Sequence, residues 1–285
     1  MVAVSLTPSI SARDPSAVEP TVEEARLSRL AEAGISLAPL TGAIGPSPLT
    51  ADAEDLTALG NQLWRDAAAG VQSGELWDDR PLYWARLSYL AGLRELAEAE
   101  ALSALELASR GMLDVSFPAA AAGAAPLRVI VTGFDPFHLD RQIDQSNPSG
   151  LAALALDGRT LKAGDAIAHV QAAVFPVRFA DFDAAMVEQF IEPWLTAGVD
   201  MVVTISMGRD GFDLERFPGR RRSSAVADNL NVLTGANPEN PLVPATPAGE
   251  LSGPEFLEFT LPAAAMLEAE GDFPVTDNRR VTTLE

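Results

Sequence analysis

The spacing of apolar residues changes near residue 120. Before this point they recur at helical spacing, as at Leu56, Leu59 and Leu63, which predicts amphipathic helices. After it, short continuous apolar runs alternate with helical stretches, a pattern typical of an α/β fold with a mostly parallel sheet. The chain therefore predicts a helical segment followed by an α/β segment.

The N-terminal half carries start and stop signals for several helices. Thr21 with Glu24 three residues later is a capping-box pattern, and Gly34 suits the end of that helix. The helix that contains the three leucines has Gly74 as its stop. Another helical run, with one break, is predicted from Asp79 to Gly111.

Three of the four tryptophans, Trp64, Trp77 and Trp84, fall in this half. Large aromatic side chains in a small helical domain usually belong to the core, so we predict core positions for all three. An aromatic face that binds a ligand is the alternative.

The C-terminal half predicts strands that alternate with helices. Three strongly apolar runs and two weaker ones are typical of strands. They are Leu127–Thr132, Ala166–Val174, Asp200–Ser206, Phe212–Phe217 and the strand opening at Phe273–Thr276. Helices are predicted after Asn147, over Phe182–Leu195 and over Pro254–Glu268.

A low-complexity stretch of alanines bounded by prolines, Phe117–Pro126, is the best linker candidate. With this linker over residues 118–126, the predicted organisation is a flexible tail over 1–20, a helical domain over 21–117 and an α/β domain over 127–285. A length of 285 residues accommodates about two domains at ~150 residues each.

Composition excludes several classes of site. The chain has no cysteine, which rules out disulfides, thiolate metal sites and a cysteine nucleophile within it. Its 40 acidic and 20 basic side chains give a net charge of −20, which argues against nucleic acid as a partner. No apolar run approaches a membrane span, and no secretory signal is apparent, so we expect a cytoplasmic protein.

Candidate chemistry gathers where the predicted strands end, because ligands of open α/β sheets bind at the carboxyl ends of the strands. The segment Gly133–His138 follows the first strand, Asn147-Pro148-Ser149 opens the next helix, and Gly208–Arg216 follows the third strand. Phenylalanines in the first loop need a pocket or a lid to bury them, unlike phenylalanines of the core.

These segments, in this order, resemble the pyroglutamyl peptidase I family. The resemblance is carried by Thr132-Gly133-Phe134-Asp135-Pro136-Phe137, Asn147-Pro148-Ser149, Phe175-Pro176-Val177, Gly208-Arg209 with Leu214-Glu215-Arg216, and Thr260-Leu261-Pro262. It covers about residues 127–285. It implies a three-layer α/β sandwich with a mostly parallel twisted sheet, here preceded by an all-α domain. It also implies removal of N-terminal pyroglutamate from peptides by a Cys-His-Glu/Asp triad.

The resemblance assigns roles residue by residue. Glu215 matches the triad carboxylate, and Phe134 and Phe137 match the phenylalanines that line the slot for the pyroglutamate ring. Asn147 and Arg209 are the further substrate-binding residues. The implied partner is a peptide with N-terminal pyroglutamate, and neither a cofactor nor a metal is implied.

This chain departs from the family in its catalytic residues. It contains no cysteine, and its two histidines, His138 and His169, match no triad position. The family places its nucleophile shortly after the strand corresponding to Phe273–Thr276, so we expect a C-terminally incomplete domain. Such a domain would expose apolar edges, which predicts either self-association as a homo-oligomer or poor solubility.

Two function classes follow. One is the peptidase activity of the family, absent from this chain as it stands because the thiol and imidazole are missing. The other is a non-catalytic peptide-binding or protein-interaction module on the same scaffold.

Two charged clusters have simple interpretations. Arg216 and Arg220–Arg222 could capture an anion, but surface ion pairs with the abundant acids are favoured. Asp135, Asp140 and Asp144 crowd one loop without the spacing of a calcium loop, so a solvated loop is favoured over a metal site.

Overall fold

The computed structural model describes residues 20–37, 40, 52–118, 125–208, 211–222, 224, 226–234, 236–237, 239–246 and 249–281. The chain forms two compact units. The first comprises Met1–Ser206 with Asp228–Asn231, and the second comprises Met207–Ala227 with Val232–Glu285. The predicted tail and most of the predicted linker lie outside the described residues, and the domain boundaries given above stay a prediction.

Helices occupy most of the first unit before residue 110. They are α1 (Val22–Ala25), a 3-10 helix (Arg26–Arg29), α2 (Ala53–Ser73), α3 (Arg80–Leu93) and α4 (Ala99–Ala108). The capping box of Thr21 and Glu24 is confirmed, as is Gly74 at the end of α2, where its φ of 80° suits glycine.

Strands and helices alternate in the rest of the first unit. They are β1 (Leu127–Phe134), α5 (Pro148–Leu156), β2 (Thr160–Ala163), β3 (Ala166–Phe175), α6 (Phe179–Asp183), α7 (Met186–Thr196) and β4 (Met201–Thr204). The sheet order is β2-β3-β1-β4. Strand β1 is parallel to both β3 and β4, whereas β2 pairs antiparallel to β3. The predicted α/β class with a mostly parallel sheet is confirmed.

Alternate residues of β1 face opposite sides of the sheet, as the period of two requires. Val129 and Val131 join a hydrophobic cluster with Trp64 of α2 and Leu154 of α5. Ile130 joins a second cluster with residues of α7, among them Met186 and Phe190. Helices therefore cover both faces, which gives three layers.

The N-terminal helices are part of this sandwich rather than an appendage to it. The indole of Trp64 donates to Asp157 Oδ2 at 2.8 Å, beyond the end of α5, and the side chain of Gln72 donates to the carbonyls of Leu154 and Asp157. The carbonyl of Arg110 accepts from the amide of Val174 in β3 at 3.0 Å. One side of the sheet is thus buried by helices that precede it in the chain.

Trp64 and Trp84 are buried, as predicted, but the prediction for Trp77 is wrong. Its side chain is 82% exposed, in the connection between α2 and α3. Its neighbour Leu76 packs instead against Gly70, where a Cβ would lie 2.7 Å from the leucine. The turn half-buries the leucine and leaves the tryptophan exposed.

The prediction of one helix over Phe182–Leu195 is wrong in one respect. The chain breaks between α6 and α7 at Ala184 and Ala185, and Ala185 has a left-handed φ of 61°. Alanine carries no turn signal, so nothing local marked the break. Strand β2 was also missed, since its residues are exposed along its length and form no apolar run.

The second unit contains β5 (Phe212–Glu215), β6 (Ala245–Thr246), β7 (Gly249–Glu250), α8 (Ala263–Leu267) and β8 (Val275–Asn278). Strands β5 and β8 pair in parallel. The predicted helix over Pro254–Glu268 is confined to α8. Before it, the amides of Leu257 and Phe259 bond to the carbonyls of Pro218 and Arg216, and this extended pairing replaces helical hydrogen bonds.

Candidate functional site at the strand ends

The loop after β1 starts with a close approach between backbones. A Cβ on Gly133 would lie 2.2 Å from the carbonyl oxygen of Ser149, so only glycine fits there. The amide of Phe134 donates to Ser149 Oγ at 3.1 Å, and the amide of Asp135 donates to the carbonyl of Phe175 at 2.9 Å. The loop is thereby tied to α5 and to the end of β3.

The carboxylate of Asp135 lies at the centre of this edge, with 3% of the residue exposed. Arg86 Nη2 lies 2.6 Å from its Oδ1, and Arg110 Nη1 lies 2.5 Å from its Oδ2. Both arginines come from the N-terminal helical half. The prediction of a solvated aspartate loop is therefore wrong for Asp135, because helices that precede the sheet bury it.

Further ion pairs extend this cluster. Glu106 of α4 pairs with Arg110 at 3.1 Å and with Arg178, which follows β3. Arg178 also pairs with Asp181 and, at 3.2 Å, with Glu23 of α1. Arg86, Arg110, Arg178, Glu23, Glu106, Asp135 and Asp181 form what we call the strand-end ion cluster. Each buried charge in it has an opposite charge within hydrogen-bond distance, as burial requires.

The electrostatics of the cluster follow from this packing. Burial and the neighbouring charge of Arg110 together lower the pKa of Arg86 to about 10, although the charge of Asp135 raises it. Burial alone would raise the pKa of Glu106, but the charges of Arg178 and Arg110 outweigh it and hold that pKa far below its usual range. At neutral pH both groups are therefore ionised.

Asn147 closes the other end of the loop, with only 1% of the residue exposed. Its side-chain oxygen accepts from the amide and hydroxyl of Ser149, at 3.1 and 2.7 Å, and caps α5. Its Nδ2 donates to the carbonyl of Asp135 at 3.0 Å. Asn147 therefore joins the two ends of the loop, and its predicted substrate contact stays a prediction.

The backbone amide of Asn147 donates to both carboxylate oxygens of Asp79, at 3.0 and 3.2 Å. Asp79 precedes α3 and is buried, whereas the adjacent Arg80 pairs with Asp78. Burial raises the pKa of Asp79 well above its ordinary value, and the charges of Asp78 and Asp135 add to this. The hydrogen bond from Asn147 acts in the opposite direction.

The two phenylalanines of the loop differ in their surroundings. Phe134 is half-buried, with its ring 6.2 Å from that of Phe182 in a stacked arrangement and 6.3 Å from that of Phe175. Phe137 is half-buried and lies 4.2 Å from the ring of His138, a residue with a φ of 64°. Phe134 thus contributes to the core, and the binding of a ligand ring by either residue stays a prediction.

Glu215 lies at the end of β5 in the second unit. Its carboxylate is exposed and accepts from Asn278 Nδ2 at 2.9 Å. The two histidines belong to the first unit, and His169 lies in β3 with its Nδ1 3.0 Å from Thr160 Oγ1. Arg209 lies outside the described residues, so its predicted role is untested.

The arginine run of the second unit forms surface ion pairs, as predicted. Arg216 pairs with Glu258 and Asp277, and Arg221 pairs with Glu255 at 2.6 Å. Arg220 lies 3.6 Å from the same Glu255. Arg222 donates to the hydroxyl of Thr234 at 2.9 Å.

The other two aspartates of the loop, Asp140 and Asp144, are exposed, as the prediction of a solvated loop requires. Asp140 accepts from Arg26 Nε at 2.7 Å, which lowers its pKa. Over the described part of the chain, no group of three or more His, Asp or Glu residues is arranged to hold a metal ion.

A segment distant in sequence completes the edge. Asn229 is buried and donates through Nδ2 to the carbonyl of Pro136 at 2.9 Å and through its amide to the carbonyl of Val177 at 2.9 Å. Its own carbonyl accepts from Arg26 Nη1 at 2.6 Å.

Sequence reasoning missed Asn229, Asp79 and the arginines of the strand-end ion cluster. One signal was available for Arg86. It falls within the apolar stretch Leu82–Leu87, whose positions are expected to be buried, and a buried arginine needs a partner of opposite charge. Asn229 carried no such signal, because its partners come from loops elsewhere in the chain.

No helix in the described ranges combines the length and apolar character needed to cross a membrane.

Two family profiles match the chain. The one described as "PA0049 N-terminal domain" matches residues 7–110, and the one described as "PA0049, C-terminal domain" matches residues 128–258. The chain is also similar to an uncharacterized protein, PA0049 of Pseudomonas aeruginosa, with 36% identity over 255 residues. This match covers 78% of the chain and 46% of the relative, so the chain spans about half the length of the curated relative it matches.

Among solved structures, the chain is similar to pyrrolidone carboxyl peptidases of the hyperthermophile Pyrococcus furiosus. A mutant of that enzyme gives a TM-score of 0.41 and 24% identity, over 54% of this chain and 66% of the other. A structure described as the enzyme and its Cys-free mutant gives a TM-score of 0.38 and 25% identity, over 50% and 59%.

Proposed function

We propose that this chain is a non-hydrolytic counterpart of the pyroglutamyl peptidases that serves as a binding or interaction module. The observation that carries the proposal is the state of Asp135. The loop that the sequence motif assigns to the pyroglutamate ring is anchored by a buried carboxylate whose two oxygens are taken by Arg86 and Arg110. Both oxygens of the Asp135 carboxylate are therefore occupied, and this group is not available as a general base or a nucleophile.

The chemistry of the chain supports the same proposal. A thiol mechanism needs a cysteine, a histidine that deprotonates it and a carboxylate that orients the imidazole. The chain has no cysteine, and the carboxylate of Glu215 accepts instead from the side-chain Nδ2 of Asn278. A carboxylate without its imidazole has no nucleophile to activate.

The test is turnover of pyroglutamyl-naphthylamide by the purified chain, with and without a thiol-blocking reagent. We expect release of naphthylamine at the rate of buffer alone. Turnover that resists the thiol reagent and is lost in Glu215→Gln, but retained in the exposed control Glu268→Gln, would overturn the proposal. Such a result would make Glu215 part of a different hydrolytic mechanism.

A specific observation favours one ligand for the module. Phe134 and Phe137 are each half-buried, so the loop retains aromatic surface toward solvent next to the strand ends. Aromatic surface suits a flat, uncharged lactam ring. The ligand is then a peptide with N-terminal pyroglutamate, bound without hydrolysis.

Isothermal titration calorimetry with a pyroglutamyl dipeptide tests this ligand. We expect saturable binding that Phe137→Ala abolishes and that Phe212→Ala, an exposed phenylalanine of the second unit, leaves intact. A dipeptide that begins with proline instead of pyroglutamate should not bind. Equal binding of both peptides contradicts recognition of the lactam carbonyl.

A further inference from the structure

The loop from Asp135 to Asn147 is contacted by the N-terminal helical half at its start, its middle and its end. At its start, the carboxylate of Asp135 is paired with Arg86 of α3 and with Arg110. These contacts fix the first residue after the phenylalanine that ends β1. The paired groups are buried, so water does not replace a lost partner, and breaking either contact costs free energy.

The middle of the loop is held from the same side. Arg26 Nε donates to Asp140 Oδ1 at 2.7 Å, and Arg80 Nη1 donates to the carbonyl of Asp144 at 2.5 Å. Both donors precede the linker in sequence. The middle of the loop is therefore solvent-exposed at Asp140 and Asp144 but is hydrogen-bonded to the N-terminal helices.

The end of the loop depends on Asp79. Its carboxylate accepts from the backbone amide of Asn147. Its Oδ2 also lies close to Gly150, where an added Cβ would be 2.8 Å away. From Asn147, hydrogen bonds lead to Ser149 and from the hydroxyl of Ser149 to the amide of Phe134. A displacement at Asp79 thus reaches Phe134 through three consecutive hydrogen-bonded contacts.

We infer that the N-terminal helices are the positioning element of the Asp135–Asn147 loop, with Asp79 as the positioning residue that fixes its end. Asp79 fixes the backbone position of Phe134, one of the two phenylalanines assigned to the ligand. The identity of that ligand rests on the proposed function, whereas the position of the loop does not.

Hydrogen–deuterium exchange at the amides of Asn147 and Ser149 tests the inference without any ligand. Asp79→Ala removes the acceptor of a buried amide, and we expect exchange at both positions to accelerate about tenfold or more. Exchange at β1 and β3 should remain as in the control Ser88→Ala, whose hydroxyl bonds only within α3. Asp79→Asn keeps a side-chain oxygen that can accept, and we expect it to restore most of the protection.

Two results would overturn the inference. One is exchange in Asp79→Ala that equals exchange in Ser88→Ala at Asn147 and Ser149. The other is loss of protection throughout β1 and β3 in Asp79→Ala, because Asp79 would then support the whole unit rather than position the loop.

If Asp79→Ala does not fold, Arg80→Gln tests the same positioning element at Asp144. Faster amide exchange at the neighbouring Gln145, with unchanged exchange in β1 and β3, supports the inference. Unchanged exchange at Gln145 contradicts it. Calorimetry with the pyroglutamyl dipeptide then separates the two proposals. If exchange accelerates in the loop but the wild type does not bind the dipeptide, the positioning role of the N-terminal helices is supported. Only the proposed ligand is then contradicted.

Discussion

The two units use the same chemistry, arginine paired with carboxylate, in opposite environments. In the first unit Asp135, Arg86 and Arg110 are at most 3% exposed in their side chains. In the second, the side chains of Arg221 and Glu255 are 30% and 27% exposed. Distances are nearly the same, 2.6 Å in both Arg86–Asp135 and Arg221–Glu255, so geometry does not distinguish them.

What distinguishes them is the cost of losing a partner. A buried charge left alone cannot be hydrated, whereas an exposed one is solvated and screened. The contrast extends to packing, since the described part of the first unit contains three hydrophobic clusters. In the described part of the second unit, the buried apolar residues are Leu214, Ala236 and Ala263. The strand-end ion cluster is consequently a buried feature of the first unit, and its charges depend on their partners.

The largest expected effect is that of Asp135→Ala. It leaves Arg86 and Arg110 buried without their carboxylate, so we expect the free energy of unfolding to fall by about 3–5 kcal/mol. Urea denaturation measured by circular dichroism checks this. A loss below about 1 kcal/mol would mean that water reaches the arginines, and the contrast between the units would fail.

Gly133→Ala comes next, because its Cβ would collide with the backbone at Ser149. Overpacking of this kind typically costs about 1–3 kcal/mol. Gly271→Ala, in the second unit, meets nothing within 4 Å and should change stability by less than about 0.5 kcal/mol. Equal effects of the two substitutions in thermal unfolding would show that the strand-end backbone can shift at no cost.

The pH dependence of two buried carboxyl groups should have opposite signs. The raised pKa of Asp79 means that folding favours its protonated form, so its contribution is lost as pH rises from its unfolded value of about 3.9 through the raised pKa. The lowered pKa of Glu106 means a contribution present above about 4.3 and lost as pH falls.

The measurement is urea unfolding of the wild type and two variants between pH 3 and pH 8. Relative to the wild type, Asp79→Asn should gain stability as pH rises, and Glu106→Gln should lose stability as pH rises from 3 to about 5. If the free energy of unfolding of both variants varies with pH as that of the wild type does, the environments assigned to Asp79 and Glu106 are contradicted.

The smallest expected effect is that of Arg221→Gln. Its ion pair with Glu255 is partly exposed, and such pairs contribute about 0.2–1 kcal/mol. The loss should shrink further in 0.5 M salt, which screens exposed charges. A loss as large as that of Asp135→Ala would show that the second unit protects its ion pairs as the first does.

Local signals predicted much of the fold. The capping box at Thr21, the stop at Gly74 and the apolar runs of β1 and β3 rest on hydrogen bonds and side-chain spacing within a few residues. The signals failed where distant partners decide. Residues near Leu257 are extended because they bond to residues near Pro218, and no helical propensity records that competition.

The candidate site was predictable only in part. The motif located Phe134 and Asn147 at the strand ends, because parallel strands bring their carboxyl ends to one edge. It did not reveal that Asp135 is enclosed by Arg86 and Arg110. Those contacts span 49 and 25 positions in sequence, and their existence depends on how the N-terminal helices pack on the sheet.

The sequence by itself determined the α/β class, the order of the strand-end segments and the absence of a thiol from this chain. These follow from composition and from hydrophobic spacing, which act locally. Only the tertiary structure decided that Asp135 is a buried ion-pair partner and that Asp79 holds Asn147. Burial and charge pairing are properties of surfaces brought together by folding, and a carboxylate in the sequence looks the same whether it meets water or an arginine.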